Sequence, residues 1–303
     1  MNRFERSWLL FRSSLMVIVR NKELLIFPIV ISISTLVILL FFLAPAALWP
    51  TGHSYLSWDH WQSLGHTFFT KTGGGSNQIA YSPVAVAYLV FLYLVSMFAA
   101  TFFNVAFYHE ILEALSGRPV SLGRGLKFAC SRWKAILMWA LFAGMVGLII
   151  KAIEQKFEIV GRITARLIGV AWSIASVFVI PIMVHDEETA NPFGLLKKSA
   201  DILKRAWGEG LIGYIGIGAL NAVVMMVSIA VVGAAAIFSA KLNNFWLLGV
   251  AIGGEVVFLL LWSYLMNVAS LVFKGALYLY AADGVVSAPY DQHLLDSAWK
   301  FKR

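Results

Sequence analysis

The feature that most constrains the fold of this chain is a series of six long stretches in which nearly every residue is apolar. A helix needs about 20 mainly apolar residues to cross the roughly 30 Å of hydrocarbon in a bilayer. Because 60% of the residues are hydrophobic and only 13% are charged, the chain has too little polar surface to cover a globule in water. We therefore predict an all-α polytopic membrane bundle of six transmembrane helices. The predicted spans are residues 24–48, 83–107, 135–150, 167–184, 211–238 and 245–266, with a deep hairpin arm as the alternative for either the third or the fourth.

Positive charges fall almost entirely on alternate sides of the predicted spans. The segments 1–23, 108–134, 185–210 and 283–303 contain five, five, four and three Lys or Arg residues, whereas the intervening loops together contain five. Because cytoplasmic loops have the excess of basic residues, both chain ends are predicted in the cytoplasm. The net charge of +8 is then a topology signal and a means of contact with anionic lipids. No nucleic-acid partner is predicted.

The N-terminal segment argues against a cleaved signal peptide, and the single cysteine argues against a disulfide or a zinc site. Basic residues are spread through residues 1–22, so no uninterrupted apolar core precedes a cleavage site, and the first span is predicted to be retained as an anchor. Cys130 has no second cysteine with which to form a disulfide, and no Cys/His zinc pattern is present. We predict neither a metal nor a cofactor.

An amphipathic segment with basic residues precedes each odd-numbered span. These segments, which we call elbows, cover residues 4–22, 121–134 and 191–207. Two residues that are eight apart lie near one face of a helix, so each basic pair can lie at headgroup level while the apolar face enters the membrane interface. The predicted lipid-binding pairs are Arg12 with Arg20, Arg124 with Arg132, and Lys197 with Arg205.

The chain is predicted to form one transmembrane domain, 1–303, of three units that each contain an elbow and a hairpin. The units are 1–107, 108–184 and 185–282, followed by a cytoplasmic tail, 283–303; the first includes the elbow 1–23 and the external loop 45–82. Asn191 and Ser121 are predicted to cap the third and second elbows, and Pro181 is predicted to kink the fourth span. In the external loop, Tyr55 to Phe69 is predicted as a short amphipathic helix, and the glycine run 73–77 as a linker.

From about residue 100 to its end, the chain contains short motifs in a characteristic order. They are Phe102-Phe103-Asn104, Leu122-Gly123-Arg124-Gly125-Leu126, Ala171-Trp172-Ser173, Val179-Ile180-Pro181, Leu195-Leu196-Lys197-Lys198-Ser199, Ala206-Trp207-Gly208-Glu209 and the run 276–284. These motifs resemble an uncharacterised bacterial family of six-span membrane proteins. Related patterns occur in the membrane portion of some glycerophosphodiester phosphodiesterases, here without a catalytic barrel. The resemblance implies an all-helical bacterial inner-membrane protein, and it implies no activity and no site residues.

Glu255 is the most unusual single residue, because it lies about ten residues into the last span and hence about 15 Å deep. A buried carboxylate is costly unless it is protonated or partnered, so such acids usually face a bundle interior or water. Asn221 lies at a comparable depth in the fifth span, and we predict that the two meet across the hairpin. Together with Asn104 they form a predicted intramembrane polar site for an ion, a proton or a headgroup. The alternative is a protonated Glu255 that joins two helices by hydrogen bonding.

Two further patterns favour structural interpretations. Gly249 and Gly253 form a GxxxG pattern, which predicts tight packing inside the last hairpin, with a dimer contact as the alternative. The external histidines His53, His60 and His66 have no i, i+4 spacing on a helix, so they are not predicted to bind metal. No nucleophile, Walker or paired-carboxylate motif accompanies the remaining acids and histidines, and a catalytic function is not predicted.

The leading functional hypothesis is a non-enzymatic membrane protein that acts through lipids or through a protein partner, including a second copy of itself. Three basic elbows and few polar residues in the spans favour this hypothesis. The alternative is a transporter or channel, which the Glu255 and Asn221 site and the glycine-rich helices favour.

The charge pattern makes a direct prediction about topology. Single cysteines placed at Ser76 and at Ser297 are expected to react with a membrane-impermeant thiol reagent from opposite faces of the membrane. Labelling of both cysteines from the same face would contradict the six-span arrangement.

Overall fold

The computed structural model describes residues 3–71, 79–156, 159–186, 191–205 and 210–292. Within them the protein is all-α apart from one short antiparallel strand pair, which confirms the predicted fold class. The elements are α1 Arg3–Arg20, a 3-10 helix Lys22–Leu25, α2 Ile26–Ala47, α3 Trp58–Phe68, β1 Phe69–Lys71, β2 Ile79–Tyr81, α4 Pro83–Leu115, α5 Leu122–Ser131, α6 Trp133–Lys156, α7 Ile159–Ala175, α8 Val179–His185, α9 Pro192–Arg205, α10 Gly210–Lys241 and α11 Phe245–Asp283.

Six segments of the described chain are long and apolar enough to cross a membrane, as predicted. Two of these helices continue well past the predicted spans, α4 to Leu115 and α11 to Asp283. With 39 residues, α11 is about 58 Å long, which is roughly twice the hydrocarbon thickness of a bilayer. The ends of α4 and α11 pack against each other beyond the predicted spans, at Gly275 and Ile111.

The fourth span is broken into α7 and α8 by a turn at residues 176–178. Pro181 has no N–H group to donate to Val177 four residues earlier, and its ring clashes with that carbonyl group, so the helix cannot continue regularly. Within the turn, the N–H of Phe178 donates to Ser199 Oγ of α9 at 3.1 Å. The predicted kink at Pro181 is confirmed, and the third elbow supplies a hydrogen-bond partner for the turn.

Helices occupy all three predicted elbows, as α1, α5 and α9. Each packs on protein: α1 on α10 and α11, α5 on α4, and α9 on α6, α7, α8 and α11. Asn191 caps α9 as predicted, because its Oδ1 accepts from the N–H of Phe193 at 3.0 Å. Ser121 precedes α5 but its side chain makes no capping hydrogen bond, so that prediction is wrong. The first elbow contacts the last hairpin, so the three predicted units interlock.

The buried core lies where the ends of α4 and α11 meet the elbows, at what we call the elbow end. Phe27 of α2 stacks on Phe107 of α4, with ring centroids 5.0 Å apart. Ile111 of α4 and Phe273 of α11 are fully buried in the same cluster. Away from lipid, removing such a side chain from water stabilises a fold by about 1.5–3 kcal/mol. Farther along the spans, side chains such as Phe41 are exposed, as expected for a surface that lipid covers.

Four glycines on three helices allow those helices to approach α4 closely. A Cβ atom at Gly125 of α5 would lie 2.7 Å from the carbonyl oxygen of Ala106, a backbone atom that cannot rotate away. Gly125 is therefore required for the observed packing of the second elbow. The other three contacts join Gly144 to Leu94, Gly147 to Tyr93, and Gly275 to Ile111.

The predicted tight packing at Gly249 and Gly253 is wrong. A Cβ atom at either position would meet no described atom within 4 Å, and the same holds at Gly254. A row of small residues can face a helix or lipid with the same spacing, and here it faces away from the described chain. The surroundings of the α10 glycines at 210, 213, 216 and 218 lie outside the described residues.

The segment between α2 and α4 contains the predicted helix as α3, and a hydrogen-bonded histidine attaches this helix to the end of α2. His60 is completely buried. One ring nitrogen lies 2.6 Å from Thr51 Oγ1 and the other 2.9 Å from the carbonyl oxygen of Ala47. Both nitrogens are thus engaged within the fold and are not available to a metal. The predicted glycine linker lies outside the described residues.

The two glycines of α5 give a matched test of this packing. Gly125→Ala is expected to destabilise the protein by about 1–3 kcal/mol because the new methyl group meets a backbone carbonyl. Gly123→Ala meets open space and should stabilise the helix by about 0.5–1 kcal/mol. Thermal unfolding in detergent measures both changes, and equal shifts for the two variants would contradict the close approach.

Candidate functional site

The predicted intramembrane polar site is not assembled. Asn221 Oδ1 accepts a hydrogen bond from Trp262 Nε1 at 3.1 Å, and Trp262 lies about 10 Å along α11 from Glu255, at 1.5 Å per residue. The antiparallel hairpin turns at residues 242–244, so Asn221 lies opposite residues equally far from the turn, beyond Glu255. Asn104 Nδ2 donates to Ala100 within its own helix at 2.8 Å. Glu255 is half-buried, and no described residue forms an ion pair with it.

Polar side chains instead gather at the elbow end, and one of them, Glu110, is a fully buried acid. Its carboxylate is completely buried near the end of α4. It accepts hydrogen bonds from Arg124 Nε at 2.9 Å, from Arg124 Nη2 at 2.6 Å and from the backbone N–H of Ser121 at 2.6 Å. His109 Nδ1 lies 3.0 Å from the same carboxylate. A buried carboxylate with this many donors is stabilised in its charged form.

This contact determines how the second elbow meets α4. Gly117, with φ of +77°, and Pro119 turn the chain after α4, so that the N–H of Ser121 points back at Glu110. The hydrogen bonds to Glu110 raise the pKa of the Arg124 guanidinium above its ordinary value. Arg124 Nη2 also donates to the carbonyl oxygen of Pro119 at 2.6 Å. Protein acceptors thus engage Nε and Nη2 of Arg124, so this residue joins α4 to the second elbow, and its predicted contact with lipid stays a prediction.

The other predicted basic residues differ in their environments. Arg12, Arg20 and Lys197 are exposed. The guanidinium of Arg132 lies over the ring of Phe128, 5.6 Å from its centroid, and so is only partly directed outward. The side chain of Arg205 lies outside the described residues.

A second ionic cluster joins α8 to α9 and α11. His185 Nε2 lies 3.2 Å from Asp283 Oδ2, and Lys198 forms an ion pair with Asp186. No function was predicted from the sequence for the remaining acids and histidines, which include His185 and Asp186, and these contacts were missed. Their partners are remote in sequence. The available sequence signal was Gly284, because a glycine is typical of a helix end; in the structure it adopts φ of +70° and ends α11 directly after Asp283.

Two cavities open beside this second cluster. The larger, about 830 Å³, is bounded by the end of α1, residues 114–119, His185, and the C-terminal segment 279–289. We call it the elbow cavity. The smaller, about 330 Å³, lies between α8, α9 and the end of α11. His185 and Asp283 line both cavities, so their ion pair stands between the two.

The C-terminal segment closes one side of the elbow cavity through a contact with the first elbow. The hydroxyl groups of Tyr290 and Ser14 lie 2.8 Å apart, and both residues are buried. Burial raises the pKa of the Tyr290 phenol, which favours the neutral, hydrogen-bonding form. The ends of α1, α4, α8 and α11 are thus at the same end of the molecule, as an even number of spans requires.

Within the described residues, no group of three or more His, Cys, Asp or Glu side chains is arranged to hold a metal ion. The ionisable groups that do meet, including Glu110 with Arg124 and His185 with Asp283, pair with one another across helices. These ionic contacts therefore hold helices together. The elbow cavity beside them is bordered by two cationic side chains, Arg20 and Arg118.

The neighbouring acids of α4 give a matched test of the buried contact. Glu110→Gln removes the charge opposite Arg124 and is expected to destabilise the protein by about 2 kcal/mol. Glu113→Gln changes the same chemical group, whose nearest partner Arg118 is 62% exposed and whose contact with Arg124 Nη2 is longer, at 3.7 Å. It is expected to cost about 0–1 kcal/mol. Thermal unfolding in detergent measures the stability of the two variants. An equal loss of stability in both would contradict a larger contribution from the buried Glu110.

Comparison with known proteins extends the sequence resemblance in one respect. No curated protein and no solved structure shows significant similarity to the chain. A relationship to glycerophosphodiester phosphodiesterases is therefore not shown. A family model does match residues 83–288, which include the ends of α4, α8 and α11 that line the elbow cavity. The chain belongs to this family, DUF6159, a family of unknown function.

Proposed function

We propose that the protein is a non-enzymatic multi-pass protein of the bacterial cytoplasmic membrane whose elbow end faces the cytoplasm and binds anionic lipid headgroups. The observation that supports this proposal is a set of exposed cationic side chains at the elbow end. Arg12, Arg20, Lys127 and Lys197 are exposed, and none forms an ion pair with another described residue. Each such charge near an anionic membrane surface contributes about 1 kcal/mol to association.

The orientation rests on the same charges. The segments that gather at the elbow end are those with the excess of Lys and Arg, and such segments face the cytoplasm in bacterial membrane proteins. Anionic lipids of the facing leaflet then lie within reach of the exposed elbow residues. The buried faces of the elbows pack on protein, so their exposed faces are held in fixed positions.

Transport is the alternative, and its main support was the predicted contact between Glu255 and Asn221. Asn221 bonds to Trp262 instead, and the described residues provide no second polar partner for Glu255 at that depth. Lipid binding is therefore the better-supported function. The paired ionic groups of the elbow end join helices, and this arrangement favours a non-enzymatic role.

Charge reversal at the two ends of the molecule tests the proposal. In nanodiscs of phosphatidylglycerol and phosphatidylethanolamine, the wild-type protein should enrich the anionic lipid around itself. Arg12→Glu with Lys197→Glu should lower this enrichment by about 30-fold, given roughly 1 kcal/mol for each of the two positive charges removed. Quantitative mass spectrometry of the lipids retained in the discs is the measurement.

The control is Lys151→Glu with Lys241→Glu, which makes the same charge change at exposed positions on the opposite side of the predicted topology. It should lower the enrichment much less, because both leaflets of the disc contain the anionic lipid but these two lysines lie on the side with few basic residues. Equal losses in both double variants would contradict a specific role for the elbow end, and so would an absence of enrichment in the wild-type protein.

A further inference from the structure

The elbow cavity combines a cationic rim with a largely apolar interior. Arg20 at the end of α1 and Arg118 after α4 both border it. Arg20 is exposed. Arg118 is 62% exposed and donates one hydrogen bond, at 2.5 Å, to Glu113. A guanidinium group has five N–H donors, so Arg118 retains donors for a further acceptor.

The inner wall of the cavity is formed by apolar side chains from three separate segments. Val17 comes from α1, Leu115 from α4, and Leu279 and Val286 from the C-terminal part of the chain. The carboxylate at this site, Asp283, is already paired with His185, so it opposes an anion less than a free acid would. A ligand that fits both parts needs an anionic group beside an apolar body.

The position of the cavity identifies where such a ligand comes from. Arg20 lies two residues before the first apolar segment, Lys22–Pro45, and Arg118 lies three residues after the second, Ala85–Leu115. Both therefore lie where the first two spans leave the hydrocarbon, at the depth of phospholipid phosphate groups. The volume of about 830 Å³ is within the range of about 300–1,000 Å³ typical of small-molecule sites. It is large enough for a headgroup and the adjoining part of an acyl chain.

We propose that the elbow cavity binds one anionic phospholipid, with its phosphate on Arg20 and Arg118 and its apolar part against Val17, Leu115 and Val286. Arginine suits this role because its planar guanidinium donates two parallel hydrogen bonds to a phosphate. The inference rests on the proposed function, since it assigns one lipid a fixed site among the many that surround the elbow end. It predicts a stoichiometric lipid that is distinct from the surrounding lipid layer.

The experiment counts lipids that remain on the protein after detergent exchange from phosphatidylglycerol-containing nanodiscs, by native mass spectrometry. The wild-type protein should retain one phosphatidylglycerol per chain. Arg20→Ala with Arg118→Ala should weaken this retention by at least about tenfold, because two charge-assisted hydrogen-bonding groups are lost. The control, Lys127→Ala with Lys204→Ala, removes two exposed charges of the same face that do not border the cavity, and should retain the lipid.

A second variant changes the volume of the cavity and leaves its charge intact. Val285 borders the cavity and is 51% exposed, so Val285→Trp adds bulk without disturbing the buried core. It should abolish retention of the single lipid while gel filtration and thermal unfolding remain as in the wild type. Glycerol 3-phosphate, which has the headgroup chemistry without the acyl chain, should not displace the lipid at millimolar concentration.

The outcomes separate the two proposals. Loss of the single lipid in the cavity variants, with anionic enrichment in nanodiscs preserved, supports the site. Retention of the lipid in Val285→Trp overturns it, as does equal loss in the Lys127 and Lys204 control. Displacement by glycerol 3-phosphate would overturn the role of the acyl chain. Loss of nanodisc enrichment on Arg12 and Lys197 reversal is measured independently, so the general lipid function can fail or survive irrespective of the cavity.

Discussion

The buried Glu110 carboxylate is the interaction on which the elbow end depends. Removing a carboxylate from water costs several kcal/mol unless donors replace the lost hydration. Here the two guanidinium hydrogen bonds of Arg124 and the N–H of Ser121 replace it. Because the acid is on α4 and its donors begin the second elbow, satisfying the charge also fixes the angle between the two helices. Gly125 completes the contact by allowing the backbones to approach.

Helix α4 is the central helix of the described structure, and many of the other helices pack against it. Helices α2, α5, α6, α8 and α11 all pack against it, and every glycine of close approach described above faces it. A membrane interior offers little hydrophobic drive for helices to associate, so close packing of small residues and interhelical hydrogen bonds must contribute. The elbow end adds a water-excluding core, formed where the ends of α4 and α11 meet the elbows. The spans, whose side chains are largely exposed, therefore depend on close packing and hydrogen bonds, whereas the elbow end is also stabilised by its buried core.

Hydropathy and charge spacing were sufficient to predict the six spans, the three elbow helices and the break at Pro181. They could not predict the full lengths of α4 and α11, because an apolar residue buried in protein looks the same in sequence as one facing lipid. The contact of Asn221 with Trp262, and not with Glu255, depends on hairpin register, which composition does not determine. Arg124 looked like a surface cation because its partner Glu110 is 14 positions earlier in the chain. The elbow cavity could not be predicted, since segments far apart in sequence form its wall.

The uninterrupted course of α11 has a mechanical consequence. Its first residue, Phe245, and its last, Asp283, are separated by a single straight run of helix with no proline inside it. A rigid rod about 58 Å long that tilts by 10° about one end moves its other end by about 10 Å. Asp283 borders both cavities through its ion pair with His185. Residues near the C-terminal end of α11, such as Phe273 and Tyr278, are buried in the core of the elbow end, whereas Phe245 is exposed. A tilt of this rod therefore moves Phe245 and leaves Asp283 in place between the two cavities.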